Sequence, residues 1–353
     1  MNQVLHIIGR DTPRSLLDQL SLLAGADDVI LSVGPPPPGW EAPRPVTAVH
    51  EPLGRPALCG RFMAGRAKAA SILHVWSHQA VLAAQAMAKA RSCAVVWSLA
   101  CPVPRQSPRD VPGMIRSVGL LLTVPTDACR RSFLEAGVPQ DSLHVLPPAT
   151  GDFDQRQQRR ASVRALLGLD DRQRLLLAPS EVTYDGGHRL ACWVLAVLRE
   201  TRHDLRLLIP EGGPVLESVA NFARSTGRGS EIFFTEGRLA LADCLAAADV
   251  ALFLHRKHGD VYRLSAGLAA GLPLAAAATP EVSEMTAGLA AVILTTPGDP
   301  RSASAAVLKL LEDPASPDLL SCQARWVTEQ SAPSAVRRRL EDIYRACLAG
   351  ASA

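Results

Sequence analysis

The 353-residue sequence predicts an α/β protein of two doubly wound, Rossmann-like domains with a cleft between them. Three observations carry this expectation. Short apolar runs alternate with helical patterns along most of the chain, as in parallel sheets covered on both faces. The length exceeds what one hydrophobic core usually fills. The alternation breaks once, between Pro147 and Ser162, in PPATGDFDQRQQRRAS, whose polar composition suits an interdomain linker. The expected divisions are residues 1–155, residues 156–330, and a last stretch, 331–353, whose helix around Ala335 to Leu348 would pack across the junction.

The first half opens with a strand from Val4 to Ile8 that ends in Gly9. Asp11-Thr12-Pro13 then supplies an N-cap and a proline at the first helical position, and SLLDQLSLLAG has helical spacing. A strand from Asp28 to Val33 runs into GPPPPGW, where proline stops a sheet. Further units follow: SILHVWS with an alanine-rich helix from Gln79 to Lys89, CAVVWSL, and GLLLTVP with a helix from Asp127 to Glu135, which Asp127 is expected to cap. After the break come RLLLAPS, HRLACWVLAVLRE, LRLLIPEG, PVLESVANFARST, EIFFTEG, a helix from Leu239 to Ala247, DVALFLH, a helix from Leu264 to Ala270, and LPLAAAA. Ligands of such folds sit at the carboxyl ends of the strands.

Composition narrows the function. Apolar residues make up 48% and charged residues 20%, enough for globular cores, and the formal charge of +3 gives no ground for a nucleic-acid partner. No Asp or Glu occurs between Pro52 and Arg109, while Arg55, Arg61, Arg66, Lys68, Lys89, Arg91, Arg105 and Arg109 do. That face is either an ordinary solvated one or a surface for anionic lipid or substrate, so peripheral membrane contact through the basic N-terminal domain stays open. Eight cysteines without a C-x-x-C pair read as buried thiols of a reducing compartment. No basic leader or membrane-length apolar run is present, so a cytoplasmic location is expected.

The ordered segments TVPTDACRRSFLEAGVPQDSLHVLPPATGDFD, LAPSEVTYDGGHRLACWVLAVL, AADVALFL and LSAGLAAGLPLAA together resemble retaining glycosyltransferases of family 4, which have the two-domain GT-B fold and use nucleotide-diphosphate sugars. TVPTDACRRSFLEAGVPQDSLHVLPPATGDFD is similar to the segment that closes the N-terminal domain. LAPSEVTYDGGHRLACWVLAVL and LRLLIPEGG resemble the opening of the donor domain; AADVALFL, LSAGLAAGLPLAA, PEVSE and PGDPRSASAAVLKLLEDP follow in the family's order. Coverage is roughly residues 118–315, with a weaker fit from residue 1. The resemblance implies a retaining, metal-independent transfer of sugar to an unknown hydroxyl acceptor, be it glycan, lipid or small molecule. It implies no cofactor, only the nucleotide-diphosphate sugar as co-substrate, with UDP and GDP types both open. Charge develops on the departing diphosphate, so fixed cations or helix N-termini must face it.

Four positions carried over from the family are altered. Its Arg after the first donor-domain strand falls on Ser180 and its Lys on Asp185, before Gly186. An Asp beside a diphosphate repels it by ~1 kcal/mol or more per close pair. Its two Glu, with seven residues between them, fall on Lys257 and Ser265; with a one-residue deletion the first falls on His258 or Asp260. Two readings follow. Either Arg256, Lys257, His258 and Arg263, with Arg189, form a relocated phosphate clamp, or the chain keeps the fold as a catalytically degenerate binding or regulatory subunit. A nucleotide-sugar epimerase is a third, unsupported by any acid–base constellation in the first domain.

The remaining candidates are local. Asp185-Gly186-Gly187 can turn backbone amides toward an anion, and Glu211 ends a strand that could line the nucleotide pocket. Gly9 and Arg10 stand where the family has a glycine-rich turn over the phosphates. In HVWSH, His74 and His78 are spaced i and i+4, but no third metal ligand lies nearby. His78 is placed instead at the acceptor side, as a base or binding residue.

Overall fold

The computed structural model describes residues 3–37, 40–49, 70–100, 113, 115, 120–151, 153 and 156–351. Arg55, Arg61, Arg66, Lys68, Arg105 and Arg109 of the basic stretch, with Cys59 and Cys101, lie outside them. The chain divides into two compact units, Met1–Ala149 with Pro333–Ala353, and Thr150–Ala332.

The first unit holds a parallel sheet of β1 (Gln3–Gly9), β2 (Val29–Val33), β3 (Val46–Val49), β4 (Ala70–Val75), β5 (Ala94–Ser98), β6 (Leu121–Val124) and β7 (Leu143–Val145). Its order is β3-β2-β1-β4-β5-β6-β7, so the direction of winding reverses between β1 and β4. Helix α1 (Arg14–Leu23) follows β1, α2 (His78–Arg91) follows β4, and α3 (Asp127–Glu135) follows β6. α2 turns Ala80, Ala83, Ala84, Met87 and Ala88 inward. Small side chains at those positions let the helix approach the sheet closely, where Leu73, Val75 and Trp97 complete a dense core.

Two helix starts differ from expectation. Thr126, not Asp127, caps α3, its hydroxyl accepting from the Cys129 amide at 3.2 Å, while Asp127 faces Arg130 at 3.6 Å on the surface. Asp11 does not cap α1 either. Thr12 folds back to accept from the Gly9 amide at 2.9 Å, which frees the Asp11 carboxylate for other partners.

The second unit repeats the architecture with β8 (Arg174–Leu177), β9 (Leu205–Ile209), β10 (Ile232–Phe234), β11 (Val250–Phe253), β12 (Leu274–Ala277) and β13 (Val292–Thr295). The order β10-β9-β8-β11-β12-β13, again parallel, reverses between β8 and β11. Its helices are α4 (Arg156–Leu166), α5 (His188–Leu198), α6 (Leu216–Ser225), α7 (Leu241–Ala247), α8 (Val261–Ala269), α9 (Pro280–Met285), α10 (Pro300–Glu312) and α11 (Pro317–Gln330). The polar stretch that reads as linker is helical from Arg156. Arg160 donates to the carbonyls of Ala247 and Ala248 at 2.9 and 2.8 Å and to Asp249 at 2.7 Å; Arg164 reaches Asp249 at 3.3 Å. The arginines satisfy the carbonyls that the end of α7 leaves open. α4 is therefore fastened largely by charge, which a search for apolar periodicity misses.

The last helix, α12 (Pro333–Ala351), belongs to the first unit and packs against α1, β4 and β5. Tyr344 bonds His74 Nδ1 at 2.6 Å, His74 Nε2 meets Ser98 at 2.8 Å, and Ser98 meets Thr123 at 2.6 Å. Both nitrogens of His74 are thus used inside the fold, and burial, then the charge of His6, holds its pKa well below the ordinary value.

Candidate functional site

Residues following a strand at a winding reversal are splayed apart by helices on opposite faces, which leaves a crevice. In the second unit that place lies between β8 and β11. The loop after β8 contains Ser180 to Gly187, the loop after β11 contains Leu254 to Asp260, and Glu211 to Gly213 follow β9 next to them. Glycine lets these loops touch. Gly187 has φ +79°, and a Cβ there would overlap the Leu254 carbonyl oxygen; a Cβ on Gly213 would overlap the Val182 carbonyl. The Arg256 amide donates to the Asp185 carbonyl at 3.0 Å, closing the contact.

A pocket of about 570 Å³ opens beside this junction, lined by Tyr184, Gly187, His188, Arg189, Val215, Ser218, Arg256 and Lys257 among others. Arg256 lies over the Tyr184 ring at 5.6 Å and Arg189 over the Phe222 ring at 4.7 Å, so both cations are steadied while exposed. Gly187 is the N-cap of α5 and contributes no side-chain cap, so the helix presents its N-terminal amides and positive dipole end there. Arg189, Arg256 and Lys257, with the Asp185-Gly186-Gly187 turn, are thus brought to one place.

Other residues of the expected clamp and its surroundings have different partners. Arg263 is buried, and its Nη2 donates to Glu211 Oε1 at 2.9 Å, so both are engaged with each other rather than turned to the pocket cations. Its own amide donates to Asp260, the N-cap of α8, at 3.2 Å. Glu181 joins this group: burial, then the charges of Asp260 and Glu211, push its carboxyl pKa up, with Arg263 opposing. Ser265 is fully buried, 3.4 Å from the Ser331 hydroxyl. Ser180 is buried too, and its carbonyl accepts from His188 Nε2 at 3.0 Å. His258 follows Lys257 on the same loop, its Nδ1 2.8 Å from the buried Glu281 and its ring within electrostatic reach of Asp185 and Lys257.

Sequence reasoning assigned no role to Glu181, Glu281, His188 or His255. His188 and His255 are buried, and burial lowers both imidazoles to a pKa of about 4, the charge of His255 adding to the effect on His188. The available signal was position: His255 closely follows β11, and His188 opens the helix that the glycine turn after β8 leads into.

In the first unit the reversal lies between β1 and β4, and the loops after these strands again meet. Asp11 accepts from the Ser77 hydroxyl and, at 3.0 Å, from the Gln79 amide. A Cβ on Gly9 would crowd Ser77, which itself caps α2. Arg10 is exposed at this junction; His78, first in α2, is half-buried with its ring 5.2 Å from that of Trp97.

No protein-family model matches the sequence, and no curated protein is similar to it in sequence. Solved structures are similar in fold. Anabaena Alr3699/HepE, in complex with UDP and glucose, matches with a TM-score of 0.83 at 13% identity, over 97% of this chain and 99% of that one. The chain has the GT-B glycosyltransferase fold. Sucrose-phosphate synthase from Thermosynechococcus elongatus matches at 0.74 and 14% identity, over 99% and 100% of the two chains. A glycosyltransferase from Rickettsia africae ESF-5 matches at 0.74 and 12%, over 98% of each.

Proposed function

We propose that the protein is a nucleotide-sugar-dependent glycosyltransferase whose second unit holds the donor. The observation that carries this reading is the pocket at the second unit's winding reversal, where Arg189, Arg256, Lys257 and the N-terminus of α5 converge. Backbone dipoles and fixed cations of this kind suit an anion whose charge grows as a sugar departs. Architecture agrees: a protein of the same fold, HepE, is solved with UDP and glucose.

The finer assignment follows the resemblance to family 4, namely retention at the anomeric carbon, no metal, and a hydroxyl acceptor. In this reading Lys257 and Arg256 offset the diphosphate charge from the loop after β11, on the opposite side from the altered positions Ser180 and Asp185. Arg263 and Glu211 hold each other beneath the loops, and Ser265 supports α8 from within. His78 and Arg10, at the reversal of the first unit, face the acceptor side. No described helix is long and apolar enough to cross a membrane, and the cytoplasm is the proposed location.

A thermal-shift series with UDP, GDP and ADP tests the reading. A ligand at about 100 times its Kd adds ~2.7 kcal/mol to the folded state, and Lys257→Ala with Arg256→Ala should remove most of that gain. A folded chain indifferent to every nucleotide would instead fit a degenerate binding subunit.

A further inference from the structure

His258 is the half-exposed histidine of the loop after β11. Its side chain keeps 48% of its surface, while its partner Glu281, at the start of α9, keeps 3%. A carboxylate so buried holds the ring in one orientation, with Nδ1 turned inward to Oε1 at 2.8 Å. The remaining ring nitrogen, Nε2, is left to meet a group outside the pair. The loop that carries it follows β11 at the winding reversal and leads directly into α8, and the loop of Asp185 abuts it through the Arg256 amide.

We propose that the His258–Glu281 pair is a proton-dependent grip for the diphosphate end of the bound nucleotide. The inference rests on the donor reading above.

The physical reason is a change of role at one atom. With the ring protonated, the pair is neutral overall and Nε2 presents an N–H, which a phosphate oxygen accepts as a charge-assisted hydrogen bond. With the proton gone and Nδ1–H still serving Glu281, Nε2 becomes a bare acceptor and the pair carries a net negative charge. A phosphate oxygen is then repelled from the position it formerly filled.

The charged groups around the ring are few. The hydrogen bond to Glu281 is the main influence and raises the His258 pKa above its ordinary value; burial opposes it, the charges of Glu281 and Asp185 add to it, and Lys257 subtracts. Arg256, on the same loop, is already placed over Tyr184. The grip is therefore closed on the acid side of the His258 pKa and opens as pH rises through it.

Calorimetric titration of the full chain with UDP and GDP, each against its nucleoside, from about pH 6.5 to about pH 8.5 tests this. The diphosphate should lose about tenfold in affinity across that range, the size of one charge-assisted hydrogen bond, while the nucleoside should not. His258→Gln should bind the diphosphate with the weaker affinity at every pH. Glu281→Gln should move the midpoint of the pH profile downward, which a merely structural role would not do, and circular dichroism checks that each variant is folded. Diphosphate binding that is flat with pH and unchanged in His258→Gln overturns the grip but leaves the donor reading standing. A wild-type chain that binds no diphosphate at any pH overturns both.

Discussion

His188 and His255 are adjacent buried imidazoles with a shared electrostatic cost. Each is pressed to a pKa of about 4, chiefly by loss of water; the charge of His255 lowers His188 further, whereas Glu281 and Asp185 pull His255 the other way. An unfolded histidine titrates near 6.5, so between the two values the unfolded chain binds more protons than the folded one. Stability is accordingly full above about pH 6.5 and falls as pH drops toward about 4, by on the order of 3 kcal/mol per ring at the limit. Urea midpoints taken at intervals from about pH 7 to about pH 4.5 should decline, and His188→Gln should decline less steeply. Equal slopes for the two proteins would mean that these rings are not the acid-labile groups. Arg263 illustrates the opposite solution to burial. Its guanidinium is held by Glu211 with Glu181 and Asp260 close by, so the positive charge that the sequence advertises in HRKHGDVYR is partly spent inside the fold.

The α5 element shows how a single backbone conformation joins two loops. Gly187 ends the turn at φ +79° and lies directly against the Leu254 carbonyl. Alanine at this position would adopt a left-handed conformation at a cost of about 1–3 kcal/mol and would also push the β11 loop away. Gly187→Ala is therefore expected to lower the melting temperature and to abolish stabilisation by nucleotide, since Arg256 and Lys257 ride on the displaced loop. A variant that melts earlier yet responds to nucleotide as before would separate the loop contact from binding. Much of this level was legible in the sequence. Strong alternation located β1, β2, β4 to β6 and β8 to β12 and their helices, because each strand is a dense apolar run between turn residues. β3, β7 and β13 were not: all three carry partly exposed side chains, and a polar residue, Thr47 or His144, interrupts the apolar run in β3 and β7. The resemblance to family 4 singles out Ser180 and Asp185 from the motif that follows them, and leaves Lys257, His258 and Asp260 as alternatives for a third position. Glu281 could not be paired with His258, nor Glu181 with Glu211 and Asp260, because only strand order brings such distant segments together.

The path of the whole chain makes one end answer for the other. α12 follows the second unit in sequence but completes the first, where it buries Val336, Leu340, Ile343, Tyr344 and Cys347. Arg337 donates to the Ala24 carbonyl at 2.9 Å beyond the end of α1, and Cys347 reaches the Val95 carbonyl at 3.5 Å in β5. Removing residues 333–353 would uncover the apolar surfaces that these side chains cover and leave His74 without its Tyr344 partner. At about 1.5–3 kcal/mol for each large apolar side chain, the sum approaches the whole stability of a typical domain, about 5–15 kcal/mol. A chain ending at Ala332 should therefore lose hydrogen-exchange protection in β1, β4 and β5 while β8 and β11 keep theirs. Tyr344→Phe isolates the polar part, and a cost of about 1–3 kcal/mol is expected from the unmet nitrogen of a buried histidine. Protection lost first in β8 and β11 would falsify this assignment, because the second unit would then be the one that depends on the terminal helix.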